Sequence, residues 1–271
     1  YTEIINSNRP GTSQSAFSVG SNVIQLETGV FLLNQEHELL ENKANGVGLD
    51  FMVRYGLILE ELELQINGIY QNDKFTDMRS TLESEYNRSN FKKFKIGAKY
   101  LVYDPNKGKD NKPSLLSYYD TRFDSEHPDE YRRFNFKNLI PAISVYVGIN
   151  IDGENNPYTA PGIKGVSPSF MITTQNNFKN NFVLVTNLIL ERIGTNQNDF
   201  EYIVTLTHAF NQKWVSFIET HGISSDFYAD NMLKFGGAYL SNENLQFDTS
   251  LVFNFKNTPK IFYINFGGSY R

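Results

Sequence analysis

The chain has 271 residues, with 40% hydrophobic and 20% charged residues and a formal net charge of -5. Without cysteine it can form neither a disulfide framework nor a thiolate metal site. No basic run marks a nucleic-acid partner, and no stretch reaches the ~20 apolar residues that a membrane-spanning helix needs. Aromatic residues are abundant and unevenly chosen, 16 Tyr and 22 Phe against 1 Trp. Tyr and Phe favour strands and surfaces where one end of a ring is wet. The numbering opens at Tyr1 without a methionine, as expected if a leader has been removed.

Residues 1–21 precede the first periodic segment and form an N-terminal unit expected in the periplasm or tucked into a lumen. From there the chain alternates with a period of two, one segment after another. In Asn22–Leu33, Ile24, Leu26, Val30 and Leu32 share one face while Gln25 and Glu27 sit on the other. In 46–55, Val47, Leu49, Phe51, Val53 and Tyr55 oppose a face holding Asp50 and Arg54. In 61–70, Leu62, Leu64, Ile66 and Tyr70 oppose Glu61, Glu63, Gln65 and Asn67. Two later segments are less clean. Val183, Val185 and Ile189 fall on the nominally polar face of 181–191, and 214–221 can be phased either way.

This reading predicts twelve strands, near 22–33, 45–56, 59–70, 92–103, 139–151, 166–175, 180–191, 200–210, 213–222, 231–240, 244–254 and 260–271. Most run ten to thirteen residues. Globular strands usually have about five or six, whereas a tilted strand crossing a bilayer needs roughly nine to eleven. Connections also alternate in length. Short turns follow strands two, six, eight and ten. Longer loops are expected at 34–44, 71–91, 152–165, 192–199 and 223–230. Short turns on one rim and long loops on the other mark an outer-membrane barrel with the short rim in the periplasm. Residues 22–271 are therefore read as one all-β transmembrane antiparallel up-and-down barrel.

The connection 104–138 breaks the alternation with a polar segment of 35 residues. Three placements are open for it: below the barrel, inside the lumen, or against another outer-membrane protein. A hairpin hidden near 115–122 and 131–137 would raise the count to fourteen strands.

Alternation alone does not separate a membrane barrel from a soluble one with an apolar interior. The polar face decides. It carries Gly, Ser, Asn, Gln and Tyr rather than the Lys, Glu and Thr of a solvated sheet, and the apolar face carries no Lys or Arg. A cation facing lipid near the midplane would cost about 2–4 kcal/mol. Glu27 then makes sense as a group that faces a wet lumen while its strand faces lipid.

On this phasing Glu27, Asp50, Arg54, Glu61, Glu63, Lys95 and Lys99 point inward. Arg54 is expected roughly opposite Glu61, and Arg9 can fold into the periplasmic mouth to meet the carboxylates. Such a cluster is either a constriction that selects solutes or an ion-pair network that closes a narrow barrel. Other chemistry is thin. Outer-membrane phospholipases need a lipid-facing Ser and His two residues apart. Only Ser125 and His127 have that spacing, in the polar connection rather than on a strand, so no enzyme is expected. Asp124, Glu126, His127, Asp129 and Glu130 read as a solvated turn around Pro128 rather than a cation loop. No cofactor is expected.

The opening, with Arg9-Pro10, Gly20 and the run Gln25-x-Glu27-x-Gly29, resembles the meta-pathway phenol-degradation outer-membrane family, often called simply "transporter". "VRYGL" at 53–57, "KIGAKY" at 95–100, "IPAISVYVGINI" at 140–151 and the closing "FGGSYR" are similar to it as well. The resemblance implies a barrel in the outer membrane of a Gram-negative bacterium, with a cleaved leader. The family name records a pathway association, and the 104–138 connection exceeds the family's usual one. The expected role is passage of small solutes, hydrophobic ones among them. The alternative is an accessory barrel that holds partner proteins through 104–138. Outer-membrane lipid is the expected surroundings in both.

Overall fold

A computed structural model of the chain describes residues 4–79, 84–105, 107, 139–160, 162–178, 181–226 and 228–271. Twelve strands lie among them: β1 (Ile24–His37), β2 (Asn42–Gly56), β3 (Leu62–Asp77), β4 (Ser84–Tyr103), β5 (Ala142–Asp152) and β6 (Gly165–Phe178), then β7 (Phe182–Glu191), β8 (Asp199–Ala209), β9 (Trp214–Ser224), β10 (Ala229–Asn242), β11 (Leu245–Asn254) and β12 (Lys260–Tyr270). Each pairs antiparallel with its sequence neighbour, and β1 pairs with β12 to close the barrel. Closure leaves no unpaired edge, which hydrocarbon would not tolerate.

The barrel is apolar outside and polar inside. Ile24 is 63% exposed on the outer face, with Leu26, Val30 and Leu32 beside it, while Gln25 and Glu27 are buried in the lumen. The same inversion runs around the sheet: Gln65, Ser144, Ser169, Asn187, Glu219 and Ser250 are buried, and Leu64, Val147, Leu188, Ile218 and Phe266 are exposed. Exposed leucine on one side and buried glutamate on the other is a stable arrangement only when lipid is outside. Rings mark the ends of the apolar band. Tyr55, Tyr100 and Tyr270 are exposed near the periplasmic rim, and there Trp214 packs on Tyr239 at 4.7 Å.

Two predicted long loops are mostly strand. The expected loop at 34–44 shrinks to 38–41, and that at 71–91 to 78–83, because β1, β2, β3 and β4 continue beyond the hydrocarbon. Alternation needs two different media. Above the membrane both faces of Lys74–Asp77 and Ser84–Asn90 meet water, so the period fades although the ladder persists. β4 also carries a bulge opposite Ile69–Tyr70. An extra residue there turns Lys92 inward, its ammonium 5.8 Å from the Tyr263 ring centre. The ambiguous segments resolve as well. Val183, Val185 and Ile189 face the lumen, as do Phe217 and Glu219, while Trp214 and Ile218 face lipid. The possible hairpin near 115–122 and 131–137, Ser125–His127 and the acidic cluster around Pro128 lie outside the described residues.

Candidate functional site: the N-terminal segment in the lumen

Residues 5–21 have no regular secondary structure, yet most are buried. A buried irregular segment must place its backbone polar groups on partners, and here the partners are lumen side chains, met strand after strand. Ile5 N–H donates to the carbonyl of Glu243, on the β10–β11 turn, at 2.8 Å. Asn8 N–H reaches Glu27 of β1 at 3.2 Å. Thr12 and Ser13 N–H donate to the Glu219 carboxylate of β9 at 2.9 and 3.1 Å. Gln14 exchanges two bonds with the Asn187 amide of β7, at 2.6 and 2.9 Å. Ala16 N–H donates to Gln175 of β6 at 3.1 Å, and Val19 N–H to Glu63 of β3 at 2.9 Å. The segment thus skirts the lumen from the β10–β11 turn to the start of β1, within its periplasmic half.

Four of the predicted lumen charges form one cluster. Arg54 grips Glu63 with Nε and Nη2, both at 3.0 Å, and reaches Glu27 with Nη1 at 3.1 Å. Lys99 Nζ lies 3.1 Å from Glu63. Two cations meet two carboxylates, so the group is formally neutral, and Arg54 and Lys99 are wholly buried. The remaining donors go to the N-terminal segment. Arg54 donates to the carbonyls of Asn6 and Phe17 at 2.6 and 3.2 Å. Lys99 donates to those of Ser15 and Phe17 at 2.8 and 3.1 Å. A buried ion pair is favourable only when its spare donors and acceptors are satisfied, and here residues 6–19 do so.

Arg9 and Asp50 belong to a second group. The Arg9 guanidinium forks onto Asp248 of β11, Nε at 3.1 Å and Nη2 at 2.9 Å. It also pairs with Asp50 of β2 and donates to Asn265 of β12 at 2.6 Å. Such forked contacts are about twice as strong as neutral hydrogen bonds.

Lys95 stands apart, in the extracellular half. It lies 2.6 Å from Glu191 of β7, which Lys93 also contacts at 2.9 Å. Glu201 and His221 complete that upper group at 3.0 Å. Glu61 is not the partner of Arg54. The turn 57–61 sets Gly56 opposite Glu63 and Arg54 opposite Gln65, so Glu63 is the carboxylate within reach. Glu61 stays at the periplasmic rim and accepts from Lys107 at 3.1 Å. That hydrogen bond holds the Glu61 carboxyl below its ordinary pKa.

Asp248, Glu219 and Glu191 escaped the sequence reading as partners. Asp248 alternates with Phe247 and Thr249, but a pairing across the lumen depends on the path of the N-terminal segment, which no local pattern encodes.

The family model described as "Putative MetA-pathway of phenol degradation" matches residues 7–271. The chain belongs to that family. The matched span starts in the lumen segment and covers every strand, so in this family member segment and barrel are read as one unit. No curated protein matches the chain. Among solved structures it is similar to the translocator domain of autotransporter NalP from Neisseria meningitidis, with a TM-score of 0.51 at 8% identity over 96% of this chain and 90% of that one. It is also similar to the transport unit of autotransporter AIDA-I from Escherichia coli, at 0.53 and 9% identity over 98% and 93%. At such identity the likeness is one of fold. With its lipid-facing apolar band, the molecule is a β-barrel of the Gram-negative outer membrane.

Proposed function

We propose that the barrel passes small solutes across the outer membrane and is closed at rest by its own N-terminal segment. One observation carries the reading. In the periplasmic half of the lumen, Glu27, Glu63, Gln175, Asn187 and Glu219, from five different strands, all accept from backbone N–H groups of residues 8–19. The sheet is closed by its own ladder, β1 on β12, without that segment. Twelve strands make a narrow barrel that side chains can largely fill. A separate chain segment held by reversible hydrogen bonds and ion pairs adds a closure that can move. The family description, a phenol-degradation pathway, fits small organic solutes. Apart from Glu61 and Lys95, the predicted charges then hold the closing segment rather than filter ions: Glu27, Arg54, Glu63 and Lys99 in one cluster, Asp50 with Arg9 in the second.

Planar-bilayer recording of the full chain against a chain lacking residues 1–19 tests this. The full chain should be mostly silent and the shortened one should conduct in steady steps. A folded, shortened barrel that stays silent would refute the channel.

A further inference from the structure

The lumen wall is two-sided. Around β1–β4 it is charged and holds the N-terminal segment. Around β7–β10 its periplasmic part is apolar, with Val183, Val185, Val215, Phe217 and Ala238 directed inward. These side chains do not close on one another. Ile5 and residues 6–11 cover them from the axis and leave a cavity of about 80 Å³ that reaches the rim at Gln212 and Lys213.

We propose that this cavity is a binding site for one small uncharged molecule with an apolar body and a single hydrogen-bonding group. An engineered apolar cavity of about 150 Å³ holds benzene; this one has about half that volume, so a ring fits only by extending through the open side toward the rim. Only Arg9 and Lys213 bring charge to the lining. Arg9 is committed to Asp50, Asp248 and Asn265. Lys213 sits at the wet mouth. A cation would find no carboxylate in the lining, and an anion would exchange water for neutral side chains, the valines and Phe217 on one side and Ser7, Gln175 and Gln246 among the others. The Thr207 hydroxyl and the Gln212 amide are placed to meet one polar group.

Above the cavity the chain closes a polar layer. There Thr12, Ser13 and Gln14 lie against Glu219, Thr205 and Asn187. Beyond that layer the wall is apolar again at Tyr146, Met171, Ile189 and Ile203. Residues 12–14 therefore separate the cavity from that packed apolar cluster. That its occupant is a transported solute rests on the channel reading; its binding does not.

Crystals of the full chain soaked with 4-bromobenzyl alcohol test the site through the anomalous signal of bromine. A peak against Val185 and Phe217 is expected. Titration calorimetry should give binding about tenfold or more weaker for Ala238→Phe, whose ring fills the space, and for the anion 4-bromobenzoate. Val185→Phe repeats the test from the other end of the apolar wall, and a heat-shifted gel band certifies that each variant is folded. The absence of a peak in the cavity, or equal affinity of wild type and both folded variants, would overturn the proposal, as would equal binding of the benzoate. A peak without solute flux would sink the channel reading alone, and flux without a peak would sink the site alone.

Discussion

Gly29 of β1 lies directly opposite Gly267 of β12, and the Arg9 guanidinium rests on the pair. A Cβ at either position would fall 2.2 Å from Arg9 Nη2. The two glycines thus form the bed of the ion pairs between Arg9, Asp50 and Asp248. At Gly29 the three nearest atoms all belong to that guanidinium. Gly29→Ala therefore displaces the end of one flexible side chain and leaves the ladder alone. It should cost about 1–3 kcal/mol as overpacking and lost contacts. It should also raise the spontaneous open fraction in single-channel records.

Arg54 carries the first cluster. Arg54→Ala leaves Glu27 and Glu63 buried with only Lys99 to offset them. The expected loss is about 3–5 kcal/mol, read from urea unfolding of the barrel in lipid. Arg54→Lys should recover only part of it, since an ammonium cannot reproduce the two-pronged contact with Glu63.

Glu219 grips the segment from the opposite wall. Its carboxylate accepts from Thr12 N–H, Ser13 N–H and the Thr205 hydroxyl. Hydrogen bonds to a charged group contribute about 1.5–3 kcal/mol. In Glu219→Ala, the amides of Thr12 and Ser13 should exchange with deuterium about tenfold to a hundredfold faster. Val19, tied to Glu63, should change less.

At the periplasmic rim the Lys107 ammonium lowers the Glu61 pKa through its hydrogen bond. The sign follows. A depressed carboxyl contributes stability above its ordinary titration range, and that contribution is lost as pH falls through the depressed value. Both groups are accessible to water, so the effect on stability is small. Lys107→Gln should move the Glu61 titration, followed by carbon-13 NMR, back up toward the ordinary carboxylate value near 4.3.

The strands and their phase were legible because lipid and lumen impose opposite demands on alternate residues. Ile24 and Glu27 carry that contrast in four residues. The contrast ends where both faces are wet, so the upper reaches of β3 and β4 could not be read as strand. Val183, Val185 and Ile189 looked like faults in the polar face. They mark the apolar side of the lumen instead, and that misfit was the available signal for the cavity and the cluster above it. Charge signs showed that Arg54 needed a carboxylate nearby, but the turn sets Arg54 opposite Gln65, four residues beyond the expected Glu61, and leaves Glu63 as the carboxylate within reach. The route of residues 5–19 left no periodic trace, since its hydrogen bonds go to side chains dispersed over most of the barrel.

Ser13 and Thr205 touch through their hydroxyls at 2.7 Å, one on the segment and one on β8, and the chain has no cysteine of its own. A Ser13→Cys/Thr205→Cys variant therefore allows a single, reversible tether between the segment and the wall. In planar bilayers the oxidised variant should be silent, and a reductant should restore the openings of the untethered protein. Equal conductance before and after reduction, with the bond shown to have formed, would contradict a lumen closed by its own N-terminal segment.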